Sequence, residues 1–149
     1  MTNDANHITG PSRDGNGLAR SIKKTLTAAN LTSADIGVIS AHGTGTAYND
    51  SMEMKAFKSV FKTPVPIYSI KGGIGHTMGA AGIIEIIIAA KAIEEKLIPP
   101  TIGLIQPDEE SKGWVNKNPK SNKAKYALSV NAGFGGINTA IIVESSKTV

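Results

Sequence analysis

Two histidines and a lysine stand on Gly/Thr-rich turns in this chain. The turns are Ala41-His42-Gly43-Thr44-Gly45-Thr46 and Lys71-Gly72-Gly73-Ile74-Gly75-His76, and each follows a short apolar run. Turns at strand ends are where α/β proteins usually hold their sites. His42 directly follows a strand pattern and precedes a glycine, so its ring can offer one nitrogen to a substrate while the backbone holds the other. A lone histidine there also has a purely structural reading. His76 opens the most apolar helix pattern of the chain, where the positive end of the helix dipole favours neutral imidazole as a hydrogen-bond donor. Glu85 falls inside that helix, where an unpaired carboxylate is costly, and Lys71 is its natural partner. Read together, these groups make a candidate catalytic site. A dinucleotide loop is the competing reading of Gly73-Ile74-Gly75-His76-Thr77-Met78-Gly79. It fails because the acids about twenty residues on, Glu94 and Glu95, fall in a helix and not at a strand end.

The elements that must position these residues follow from periodicity. Leu18, Ile22, Leu26 and Ala29 share one face of a helix over Gly17–Ala29, with Asn30 as its stop. Ile36–Ile39 reads as a buried strand. A second helix opens at Asn49-Asp50 and runs to Phe61, and Asp50 with Glu53 resembles a capping box. Pro64 and Pro66 end it, and 66–70 is a second strand whose end carries Lys71. The third helix runs from His76 to Lys96, with Ile and Ala all round its axis, so it must be covered on most sides. After Pro99-Pro100 comes a long irregular stretch. Strands at 126–131 and 139–143 are then joined by Ala132–Asn138, whose glycines are free to take positive φ. The order αβαβαββ describes a single α/β domain over residues 1–149, with no internal repeat.

Composition bounds the function. The chain of 149 residues has 40% hydrophobic and 19% charged residues, enough for one domain with a core. It has no cysteine, which excludes disulfides and Cys-ligated metals and fits a cytoplasmic protein. The apolar run 83–93 is interrupted by Glu85 and Lys91, so no membrane span is expected, and the N-terminus has no signal-peptide pattern. The net charge of +4 is mild, and the Lys-rich stretch 112–125 reads as a solvated loop, so nucleic acid is not an expected partner.

With these motifs in order, the chain resembles the C-terminal half of the β-ketoacyl-(acyl carrier protein) synthases, condensing enzymes of the thiolase superfamily. The resemblance covers essentially the whole chain. It is carried by 3–9 with Pro11, by 41–46 followed by Asp50 and Glu53, and by Lys71 through His76. It continues in Gly79-Ala80-Ala81-Gly82 with Glu85, in 99–101, and in Gly133-Phe134-Gly135-Gly136 with Asn138. Three departures stand out. Gly45 is the form common in polyketide-type synthases, where fatty-acid enzymes often have serine. Gly72 stands where the family usually has serine, and Val130-Asn131-Ala132 where it usually has Asn-Ser-Phe.

The resemblance implies a layered αβα half-domain with a mixed sheet, lacking a first strand that would lie centrally in it. It implies a decarboxylative Claisen condensation of malonyl-carrier protein with an acyl thioester, in fatty-acid or polyketide biosynthesis. His42 and His76 match the two active-site histidines, whose task is to stabilise the thioester oxygen as negative charge develops. Lys71 and Glu85 match the paired lysine and carboxylate. Thr44 and Thr46 match hydroxyls that bind the phosphopantetheine arm, which the acyl carrier protein supplies, so no metal or organic cofactor is called for. Phe134 matches a mobile gate, on a loop freed by Gly133, Gly135 and Gly136. The nucleophile of the family is a cysteine in the other half of the polypeptide. The chain alone is therefore expected to be inactive in condensation, and to bind a complementary half or subunit, or itself, as a dimer or higher assembly. A non-catalytic partner subunit resembling a chain-length factor is the alternative.

Overall fold

The computed structural model describes residues 1–146; the expected single domain reaches 149, and its last three residues lie outside the described ones. The elements in chain order are β1 (Thr2–Asn3), α1 (Asn16–Ala28), β2 (Ile36–Ser40), α2 (Ala47–Val60) and β3 (Ile67–Tyr68). They continue with α3 (Lys71–Ile74), α4 (Ala81–Glu94), β4 (Leu97–Ile98), β5 (Lys120–Ser121), β6 (Tyr126–Gly133) and β7 (Ile137–Glu144). Five strands form one sheet in the order β1-β7-β6-β2-β3. The β2–β3 and β2–β6 pairs are parallel, while β6–β7 and β1–β7 are antiparallel, so the sheet is mixed as expected.

The expected central gap is absent. β2 pairs directly with β6, and the two-residue β1 sits at the edge against β7. Crossover handedness limits the order of parallel strands, but strand periodicity does not encode it.

Helices lie on both faces of the sheet. On one, Leu18, Ile22 and Leu26 of α1 and Met52 and Phe57 of α2 pack with Ile39 in the larger core cluster. On the other, Ala89 and Ile93 of α4 pack with Val38, Tyr68 and Ala127. The register of β2 on β6 shifts between Ile36 and Val38. This bulge puts Ile36 and Ile39 in the same cluster, where strict alternation would separate them.

α1 keeps the predicted stripe of Leu18, Ile22 and Leu26, but Ala29 is the exposed C-cap and not part of the buried face. Asn30 follows with φ of 54°, the left-handed conformation that ends many helices. α4 faces the sheet with Ala81, Glu85, Ala89, Ala92 and Ile93, spaced at helical intervals. Its far side is open: Ile83 and Ile87 are 57% and 53% exposed. Within the irregular stretch, β4 and β5 form a small antiparallel ribbon. Trp114 from the same stretch is buried in the larger cluster, and its carbonyl accepts the Ile67 N–H at 2.7 Å. Among the described residues no helix is long and apolar enough to cross a membrane.

Candidate active site

His42 stands two residues past the end of β2, with its side chain all but enclosed. The backbone there turns sharply: Gly43 has φ of 46°, and a Cβ at Gly43 would lie 2.5 Å from the Ser69 Cβ. Only glycine fits both the conformation and the approach. The turn is anchored by Glu53 of α2. Its Oε1 accepts the His42 backbone N–H at 2.8 Å, and its Oε2 accepts the Gly43 N–H and the Asn49 Nδ2–H, both at 2.7 Å.

This corrects the capping-box reading. α2 begins at Ala47 after an N-cap at Thr46, and Glu53, fully buried, serves the histidine turn instead. Burial pushes the Glu53 carboxyl up to about 7, against the lowering effect of the three N–H donors.

Lys71 does not end a strand. β3 stops at Tyr68, and Lys71 is the first residue of the one-turn α3. Its ammonium donates to Glu85 Oε1 and to the His42 carbonyl oxygen. Both members of the ion pair are buried, so the expected pairing of Lys71 with Glu85 is realised. The departure at residue 72 has a packing reason: a Cβ there would fall 2.0 Å from the Ile102 carbonyl oxygen, which excludes serine.

The other oxygen of Glu85 accepts the Asn131 Nδ2–H at 2.8 Å, and Asn131 Oδ1 lies 3.1 Å from His42 Nδ1. The second nitrogen of His42 is therefore held by a side chain of β6, not by backbone. Burial, with the nearby Lys71 ammonium, holds the His42 imidazole down to about 4, so it is neutral at physiological pH.

His76 does not open the apolar helix, which starts at Ala81. It is exposed and precedes a short 3₁₀ turn at Met78–Ala80, and its Nδ1 accepts the Met78 backbone N–H at 3.2 Å. The His42 and His76 rings meet edge to face, with centroids 5.3 Å apart and planes at 81°.

Both rings line one open cleft, which Thr44, Thr46, Phe134 and Gly133 also line. The Thr44 and Thr46 hydroxyls are 2.9 Å apart. Phe134 is 70% exposed at the cleft's edge. Its loop takes positive φ at Gly135 and Gly136 but not at Gly133, which is extended. The loop is tied to the N-terminal segment, since Gly135 N–H donates to the Ile8 carbonyl at 2.7 Å and Asn3 Nδ2 donates to the Gly135 carbonyl at 2.9 Å. Lys71 and Glu85 stand behind the cleft wall and reach it through His42 and Asn131.

Two residues that touch the His42 turn and ring escaped the sequence reading. Asn131 figured there only as a departure from the family pattern, and Glu53 only as a cap. Neither spacing to His42 is a recognisable motif. Among the described residues no three His, Cys, Asp or Glu side chains group to hold a metal ion. The arrangement suits chemistry on a carbonyl compound: two imidazoles converge on one cleft, one of them held neutral by burial and by the buried cation behind it.

The family model for the β-ketoacyl synthase C-terminal domain matches residues 1–104. The chain is 39% identical over 147 residues to 3-oxoacyl-(acyl-carrier-protein) synthase 2 of Rhizobium meliloti (strain 1021), spanning 96% of this chain and 35% of that one. Among solved structures it is similar to a type II polyketide ketosynthase in complex with its acyl-carrier protein and bound to the hexaketide. That likeness has a TM-score of 0.91 at 34% identity, over 97% of this chain and 36% of the other. It is similar also to the ishigamide ketosynthase/chain length factor, with a TM-score of 0.91 at 32% identity, over 98% of this chain and 36% of the other. The chain thus spans about a third of the length of these relatives, and it belongs to the β-ketoacyl synthase family, as a C-terminal domain of thiolase-like α/β fold.

Proposed function

We propose that this chain supplies the histidine- and lysine-bearing half of a 3-oxoacyl-(acyl carrier protein) synthase, a cytoplasmic acyltransferase of fatty-acid or polyketide biosynthesis. The reaction is the decarboxylative Claisen condensation of malonyl-carrier protein with an acyl thioester. The observation that carries this reading is the edge-to-face His42–His76 pair on an open cleft, with the buried Lys71–Glu85 pair behind it.

In this reading the phosphopantetheine arm of the carrier protein enters past the Thr44 and Thr46 hydroxyls. The thioester oxygen meets the His76 imidazole beside His42, and Phe134 lies at the mouth. Loss of CO2 puts negative charge on the thioester oxygen, and preorganised polar groups stabilise that charge better than water does. Burial, with Lys71 held beside it by Glu85, keeps His42 neutral throughout. The acyl group is carried by a cysteine thiol from a complementary half, because no side chain here can form the thioester.

The exposed stripe of Ile83, Ile87, Met78, Phe134, Ile137 and Ile141 is the surface that such a half would cover. A partner subunit that only sets chain length has no need of His42, Lys71 and His76, which favours the catalytic reading.

The test is reconstitution with a half that carries the cysteine, assayed for condensation and for malonyl decarboxylation. Activity should appear only with both halves. His76→Ala, which removes an oxyanion donor, should lower decarboxylation by on the order of 10²–10³, and His42→Ala should lower it as well. Unchanged decarboxylation in both variants sinks the assignment, and condensation by the chain alone sinks the need for a second half.

A further inference from the structure

The two histidines of the cleft differ in what holds their Nδ1. At His76, Nδ1 accepts the Met78 backbone N–H, so the neutral ring carries its proton on Nε2. At His42, Nδ1 faces the Asn131 side-chain amide at 3.1 Å.

The orientation of that amide is fixed from its other end. Asn131 Nδ2 lies 2.8 Å from Glu85 Oε2. An ionised carboxylate only accepts, so the NH2 group must face it and Oδ1 must face His42. An amide oxygen also only accepts, so His42 Nδ1 must donate, and its Nε2 is left as a bare lone pair.

Lys71 opposes this arrangement. Its ammonium is 3.4 Å from His42 Nδ1 and would favour the other tautomer by donating to it. That ammonium is already turned to Glu85 Oε1 and the His42 carbonyl, and the Asn131 contact is the shorter of the two at Nδ1. The Asn131 backbone is in turn locked in the β6–β7 ladder opposite Thr139, whose hydroxyl donates to the Asn131 carbonyl at 3.3 Å.

We propose that Asn131 is a positioning residue that fixes neutral His42 as its Nδ1–H tautomer, so that the cleft receives a lone pair from His42 and an N–H from His76. The two rings are then not equivalent. A carbonyl or thioester oxygen finds its hydrogen bond at His76 Nε2–H. A group that brings a proton, such as a thiol or a water, finds its acceptor at His42 Nε2. This division of labour rests on the synthase reading given above, but the tautomers themselves do not.

The tautomers are read without substrate, from long-range ¹H–¹⁵N correlation spectra of the histidine rings in the full chain, above pH 6.5. His42 should show a protonated, pyrrole-type Nδ1 and a pyridine-type Nε2, and His76 the reverse. In Asn131→Ala, Lys71 is the polar group left at His42 Nδ1 among the described residues, and the ring should switch to Nε2–H. In Lys71→Met the competitor is removed and the Nδ1–H form should persist.

A pyridine-type His42 Nδ1 in the unsubstituted chain overturns the proposal, and that measurement does not depend on any variant folding. So does an unchanged His42 tautomer in Asn131→Ala, or a switch in Lys71→Met, which would make the lysine the determinant. If the tautomers are as stated and the reconstituted protein still fails to condense, the synthase reading falls and the assignment to Asn131 stands.

Discussion

Replacing Lys71 by methionine keeps the length of the side chain and removes its charge, and the structure assigns two separable consequences to that loss. The first is electrostatic. The ammonium lies 3.4 Å from His42 Nδ1 and helps hold that imidazole down to about 4, with burial the larger cause. Coulomb's law at that distance gives about 1.2 kcal/mol even in a water-like dielectric, and several times more in a drier medium. A shift of one pKa unit corresponds to about 1.4 kcal/mol, so the His42 pKa should rise by about one unit or more. It should stay below the ordinary 6.5, because the burial of the ring is unchanged.

The second consequence is to stability. Glu85 is left buried with Asn131 as its remaining donor, and breaking a buried pair from one side typically costs about 3–5 kcal/mol. Removing both charges, as in Lys71→Met with Glu85→Leu, should cost less than the single change. The assay is an NMR pH titration of the His42 ring, assigned among the chain's three histidines by substitution, together with urea unfolding of both variants. An unmoved His42 titration refutes the electrostatic argument. A double variant less stable than Lys71→Met refutes the claim that Glu85 is stranded without its lysine.

His42 also makes stability depend on acid. Its folded-state value of about 4 lies below the ordinary 6.5, so its contribution, about 3 kcal/mol at most, is complete above about pH 6.5 and is lost as pH falls through 4. The difference in unfolding free energy between the unsubstituted chain and His42→Asn should shrink over that window, and a flat difference would contradict it. Glu53 has the opposite sign. With its carboxyl raised to about 7 from 4.5, its contribution is complete below about pH 4.5 and is lost as pH rises through 7; Glu53→Gln should flatten that limb of the stability profile. Glu53→Gln should also cost about 1–3 kcal/mol in urea unfolding, because an amide donor then faces the His42 or Gly43 N–H. The chain by itself should self-associate in sedimentation velocity, and Ile83→Gln with Ile87→Gln should weaken that association without loss of helical circular dichroism, since both side chains stand on the open side of α4; a monomer, or an association unchanged by the substitutions, would refute this.

Much of this molecule was legible in its residue order, and each legible part has a local cause. The α1 stripe of Leu18, Ile22 and Leu26 follows from the helical period, and the left-handed Asn30 ends the helix where a stop was expected. A carboxylate inside an all-apolar helix must find a cation, and this identified Lys71 as the partner of Glu85 across 14 residues. His42 marked the cleft because it stands just past β2 on a turn that only a glycine at position 43 can make.

What the order of residues did not determine was decided by contacts between distant segments. Strand patterns report which side chains alternate, not which strand lies beside which; only the folded sheet shows β2 against β6 with no central gap. The role of Glu53 depends on α2 packing its buried face under the β2 turn, so that a carboxylate with the spacing of a cap reaches the His42 and Gly43 amides. Asn131 lies 89 residues from His42, and its value there comes from an amide whose two ends face opposite requirements, a carboxylate and an imidazole. The chemical types were written in the chain. Which nitrogen of His42 carries the proton was settled only when three segments met around it.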